Sequence, residues 1–91
     1  MTRVAQRNPA ATYVWWTMPL MTSGNDNRKA FNGLVRSYCR ANHLPLFDIA
    51  SVESDGGQGD MNAGYSSDGG HLNGAGQTRV AKALCVMLAR L

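Results

Sequence analysis

The sequence predicts an α/β protein: a βαβ unit, then a long glycine-rich loop and a final helix. Together these read as the C-terminal part of a larger three-layer domain built on a doubly wound parallel sheet. Three observations carry that expectation. Two short apolar runs flank one strongly amphipathic stretch, which is the pattern of parallel strands joined by a crossover helix. The first run is bulky on successive residues instead of alternating with polar ones, as in strands covered on both faces. And two strands alone leave both sheet edges open, so 91 residues of this kind make an incomplete sheet.

The elements follow in order. Asn8-Pro9-Ala10-Ala11 is a turn, and the β-forming run Thr-Tyr-Val-Trp-Trp-Thr-Met predicts a strand over about 12–18, stopped by Pro19. Thr22-Ser23-Gly24-Asn25-Asp26 is a loop whose last residues suit a helix cap. Over about 27–42, Ala30, Phe31, Leu34, Val35, Tyr38 and Cys39 recur at three- and four-residue steps and predict a helix with one apolar face. Arg28, Lys29, Arg36 and Arg40 fall outside that stripe, on what the spacing makes a solvated face. A short strand is expected at about 46–49, with Pro45 at its start. Residues 51–70, rich in glycine and aspartate, read as loop. A second helix is expected at about 73–91, capped by Asn73, with Ala75, Val80, Ala81, Leu84, Met87, Leu88 and Leu91 as its apolar stripe.

Composition narrows the function classes. At 44% hydrophobic and 16% charged the chain is too apolar for disorder, and it has no apolar run of membrane-spanning length. Nine basic and six acidic residues give a net charge of +3, but the charges are dispersed, which argues against nucleic-acid binding. Cys39 and Cys85 both sit among apolar helical positions and read as buried free thiols. The oxygen ligands Asp55, Asp60, Asn62 and Asp68 do not follow a calcium-loop spacing, and the scattered histidines and cysteines suggest no zinc site.

The chemistry-bearing segment is Asp68-Gly69-Gly70-His71-Leu72-Asn73. An acid three residues before a histidine, at the mouth of a helix, can fold back across two glycines and take the Nδ1–H of the imidazole. Nε2 is then left free as a general base.

Four segments in order resemble the C-terminal part of the SGNH (GDSL-type) hydrolase family over nearly the whole chain. They are the strand Tyr13-Val14-Trp15-Trp16-Thr17-Met18-Pro19, the helix from Arg28 through Phe31, Asn32, Val35 and Arg36 to Tyr38, the strand Phe47-Asp48-Ile49-Ala50, and Asp68-x-x-His71-Leu72-Asn73-x-x-Gly76. The resemblance implies a flavodoxin-like α/β/α fold and ester hydrolysis through an acyl-serine intermediate, needing no metal or cofactor. It implies that His71 is the base serving a serine nucleophile, with Asp68 as its orienter.

The other half of such a site is not legible. The family's nucleophile lies in a Gly-Asp-Ser motif, whereas the one Gly-Asp here, Gly59-Asp60, is followed by Met61. Gly24-Asn25-Asp26 is similar to the family's Gly-x-Asn-Asp oxyanion motif but is one residue short. It also follows the strand ending in Thr-Met-Pro, where the family's motif precedes it, so Asn25 and Asp26 read as the helix cap. Ser66 and Ser67 are tethered too closely to His71 to attack from its Nε2 side. The chain is therefore expected to be a partial hydrolase domain lacking its N-terminal part and inactive alone, with an ester substrate only in the complete enzyme. The alternative is a non-catalytic half-domain that pairs with a separate N-terminal partner or self-associates through its open strand edges. Tyr65 and Trp16 are candidate pocket rings, with core packing the better reading for Trp16.

Overall fold

In the computed structural model, residues 12–57 and 59–91 are described; the turn expected at 8–11 lies outside them. Mixed α/β architecture follows the predicted order. Strand β1 (Trp15–Trp16) pairs in parallel with β2 (Leu46–Phe47), Trp15 opposite Leu46 and Trp16 opposite Phe47. Helix α1 (Asp26–Ala41) crosses between them. Helix α2 (Ile49–Glu53), a 3₁₀ turn (Ala63–Tyr65) and helix α3 (Gly74–Leu88) complete the chain.

Both strands are shorter than the sequence predicts, and the expected strand at 46–49 ends at Phe47 because Asp48 starts a helix. The Asp48 carboxylate accepts from the Ser51 N–H at 3.2 Å, capping α2. Ile49 and Ala50 then bury themselves on the helix. The loop expected over 51–70 is thus partly ordered: α2 reaches into it, and Asn62 nucleates the 3₁₀ turn by accepting from the Gly64 N–H at 2.8 Å. Short polar side chains that capture nearby backbone N–H groups supplied order that glycine content concealed.

The buried apolar cluster is Leu20, Ala50 and Met61, with Tyr65 and Leu72 packed against it. It lies beyond the C-terminal ends of the strands, not between sheet and helix. Four polar side chains are the largest fully buried ones: Thr17, Asn25, Asn32 and Glu53. Three of them complete the backbone hydrogen bonding of the segment after β1. Asn32 both accepts from the Met18 N–H (2.6 Å) and donates to its carbonyl (2.9 Å). Asn25 does the same for Met21 at 2.8 and 2.6 Å. Glu53 accepts from the Leu20 N–H at 2.7 Å. A buried backbone segment needs partners for its polar groups, and side chains here stand where a neighbouring strand would supply them.

This arrangement turns α1 differently from expectation. Its buried residues are Asn32 and Cys39, whereas Phe31 and Tyr38 are exposed and Leu34 is 72% exposed. The predicted solvated face is also partly engaged, since Arg36 makes two hydrogen bonds to Asp48 at 2.6 and 2.9 Å. Asn25 precedes α1 but does not cap it with its side chain, which is spent on Met21 and on Asp60 Oδ1 at 2.9 Å. Cys39 is buried, as expected, but Cys85 is exposed, and the α3 stripe is half-buried at best, because no further layer among the described residues covers either helix. Trp16 is likewise not core: its ring is exposed and meets Phe47 edge-on, centroids 4.8 Å apart. Among the described residues no helix is long and apolar enough to cross a membrane.

Candidate active-site turn

The Asp68–His71 turn is built almost entirely from its own sequence. Gly69 takes a φ of +88°, a conformation that favours glycine, and so folds the chain back on itself. The carboxylate of Asp68 then faces inward along the turn. Its Oδ1 accepts from the Gly70 N–H at 2.9 Å and the His71 N–H at 2.8 Å, while Oδ2 lies 2.8 Å from His71 Nδ1. Ser66 closes the loop by accepting from the Gly69 N–H at 2.9 Å and donating to the His71 carbonyl at 2.6 Å.

Two anchors fix this turn to the molecule. On one side the Thr22 N–H donates to the Gly69 carbonyl at 3.0 Å, so the turn hangs from the segment pinned by Asn25, Asn32 and Glu53. On the other, Asn73 caps α3 by accepting from the Gly76 N–H at 2.9 Å and donates to the Gly64 carbonyl at 3.0 Å. Asn73 thus has the structural role its sequence position suggests. Gly76 has a reason of its own. A Cβ there would stand 2.5 Å from the Tyr65 carbonyl oxygen and 2.8 Å from a Leu72 methyl, so only glycine lets α3 approach the 3₁₀ turn this closely.

The electrostatics favour an ionised Asp68. The backbone N–H groups of His71 and Gly70, and then the His71 ring, hold its carboxyl well below the usual carboxylate range. With Oδ2 accepting from Nδ1–H, the neutral imidazole carries its lone pair on Nε2, the form a general base requires. The ring itself is open to water, with its side chain 92% exposed.

The residues weighed for the missing half of the site are committed elsewhere. Ser66 Oγ is committed to the His71 carbonyl and does not face Nε2. The Asn25 amide is buried and spends both polar ends on Met21 and Asp60, which leaves nothing to offer an oxyanion. Tyr65 is half-buried: its ring packs on the Leu20–Ala50–Met61 cluster, and its hydroxyl donates to Asp55 Oδ1 at 2.5 Å. Asp55 also accepts from Asn62 at 2.6 Å, and both contacts lower its pKa. Among the described residues no three His, Cys, Asp or Glu side chains gather as a metal ion would need.

Sequence reading missed Glu53, which is 1% exposed with Oε2 lacking any hydrogen-bond partner; burial raises its pKa. It also missed Asn32 as a strand surrogate. The available signal was polarity at helical spacing, since Asn25, Asn32 and Cys39 recur every seven residues along one side of α1.

No family model matches the chain, and neither the curated proteins nor the solved structures contain a match to it.

Proposed function

We propose that the chain is the C-terminal portion of an SGNH-type serine ester hydrolase, with His71 as general base and Asp68 as its orienting acid. One observation carries the reading: a carboxylate 2.8 Å from Nδ1 of a histidine whose other nitrogen faces open space. In the complete three-layer domain, His71 Nε2 would take the proton from a serine hydroxyl as that oxygen attacks the ester carbonyl. It would return the proton to the leaving alcohol, and Asp68 would stabilise the imidazolium between the two steps. The serine and the oxyanion donors would come from residues outside this chain. They would also cover the pair, because such charge stabilisation is strong only where water is excluded.

The test has two arms. The chain alone, given a short-chain aryl ester and a fluorophosphonate label, is expected to show no serine-dependent turnover and no labelled serine. Joined to whatever coding sequence precedes it in frame, it is expected to gain turnover that His71→Ala abolishes. Labelling of a serine within the chain, or turnover indifferent to His71, sinks the proposal.

A second reading, a half-domain that associates with a partner, draws on different observations. The N–H groups of Trp15 and Thr17 bond to the Pro45 and Phe47 carbonyls at 3.0 and 3.2 Å, so alternation turns the polar groups of Trp16 towards the other edge of β1, which no strand among the described residues pairs. Trp15, Phe31, Leu34, Val35 and Tyr38 line an apolar hollow of about 310 Å³. Sedimentation of the isolated chain tests this reading: a single monomeric species that melts cooperatively counts against it.

A further inference from the structure

A larger groove, about 500 Å³, runs between α3 and the β2–α2 junction. Its floor is apolar, with Phe47 buried at the base and Val86 and Met87 on the α3 wall. Its rim is cationic. Arg79 and Lys82 line it from α3 and Arg90 from the turn just past Leu88, positions that span roughly 16 Å at about 1.5 Å per residue. Arg79 lies 4.0 Å from Asp55, whereas Lys82 and Arg90 form no ion pair among the described residues. The acid that lines the groove, Asp48, is already held by Arg36.

We propose that this groove docks an acidic amphipathic helix of a partner protein. The spacing matches that occupant. Three cations strung along about 16 Å exceed what one headgroup would use, but they suit acidic side chains one and two turns apart on a helix. An apolar floor beneath a charged rim is the usual division of labour in helix-in-groove recognition. A long acyl chain is disfavoured because the groove is open along its length, and small-molecule sites enclose most of their ligand.

Charge also excludes occupants from this chain. Residues 1–11 contain Arg3 and Arg7 and no acid. A second copy has no acidic stripe to present. Glu53 is buried, Asp48, Asp60 and Asp68 are paired with Arg36, Lys29 and His71, and Asp55 lies beside Arg79, which leaves Asp26 as the one unpaired acid among the described residues. The groove contains neither Asp68 nor His71 and is a surface separate from the candidate active-site turn.

The probe is a fluorescein-labelled synthetic helix with leucines on one face flanked by glutamates, titrated into the full chain and followed by anisotropy. A matched peptide with lysines replacing the glutamates is the comparison. The glutamate peptide is expected to bind roughly tenfold or more tightly than the lysine peptide, and to weaken as salt rises. Lys82→Glu with Arg90→Glu, at two exposed positions without partners, is expected to remove at least about tenfold of that affinity. Arg40→Glu, an exposed charge on α1 outside the groove, is expected to leave binding unchanged. Equal binding of the two peptides, full binding by the charge-reversed chain, or tighter binding of an oligothymidylate that competes for Lys82 and Arg90 would each overturn the proposal.

Discussion

Asp48 and Asp68 accept similar sets of hydrogen bonds for opposite purposes. Each takes at least one backbone N–H and a nitrogen-bearing ring or guanidinium, and each has its pKa lowered. The partners of Asp68 lie within three residues of it and the pair is exposed. Those of Asp48 come from across the fold: Thr17 after β1 at 3.0 Å, Arg36 on α1 at 2.6 Å and Ser51 on α2. Thr17 relays the connection onward by accepting from the Ala50 N–H at 3.0 Å. A carboxylate that ties three elements together is committed to the fold. One that closes a four-residue turn ties down that turn alone and leaves its ring partner open to water.

That contrast can be broken by substitution. Asp48→Ala should be the most damaging change, costing about 3 kcal/mol in urea unfolding, because Arg36 and Thr17 lose their acceptor and α2 its cap together. Loss of less than about 1 kcal/mol would mean that Asp48 is not the junction its contacts describe. Gly76→Ala follows, at about 2 kcal/mol by the same measurement, since a methyl group would press on the Tyr65 carbonyl and push α3 away from the site turn.

The pH dependence separates Asp48 from the buried acid nearby. The native pKa of Asp48 lies below 3.8, so its stabilisation is complete above that pH and is lost as pH falls through the lowered native value. Glu53 behaves in reverse. Its native pKa is raised above 4.5, so the native state holds the extra proton and stability declines as pH rises from 4.5 towards the raised value. In Glu53→Gln the amide oxygen can still accept from Leu20, and the decline above pH 4.5 should vanish while the acid limb from Asp48 persists. An unchanged slope above pH 4.5 would remove Glu53 from the account.

Asp68→Asn should have the smallest effect on stability, with the urea midpoint almost unmoved. Its effect should appear on His71. Nitrogen-15 NMR of the imidazole at high pH is expected to show the Nδ1–H form in the native chain and loss of that preference in the variant. The same tautomer mixture in both would mean that Asp68 does not orient the ring.

The order of elements was legible in the sequence because hydrophobic periodicity and turn chemistry are local. So was the Asp68–His71 pairing, because two glycines and three residues of separation leave the carboxylate little else to reach. The same locality explains Asn73 as a cap. Elsewhere the local signal pointed the wrong way. A run of glycines and aspartates over 51–70 concealed α2, whose cap and buried Ile49 and Ala50 outweigh the composition around them. Asn25 looked like a cap, yet its amide is worth more to the buried backbone of Met21 than to a helix end that water can reach.

The sequence by itself determined the two long helices, the cores of the two strands and the geometry of one acid–base turn. Only the tertiary structure decided which way α1 faces and what the buried polar residues do. Neighbouring residues set backbone conformation, whereas burial is decided by whatever packs from outside the segment. Here the backbone of 18–21 recruits Asn32, Asn25 and Glu53 in place of a strand, and that recruitment leaves Phe31, Leu34 and Tyr38 facing out. A hydrophobic stripe records that a face is built to be covered; the covering partner lies in three dimensions, where periodicity cannot see it.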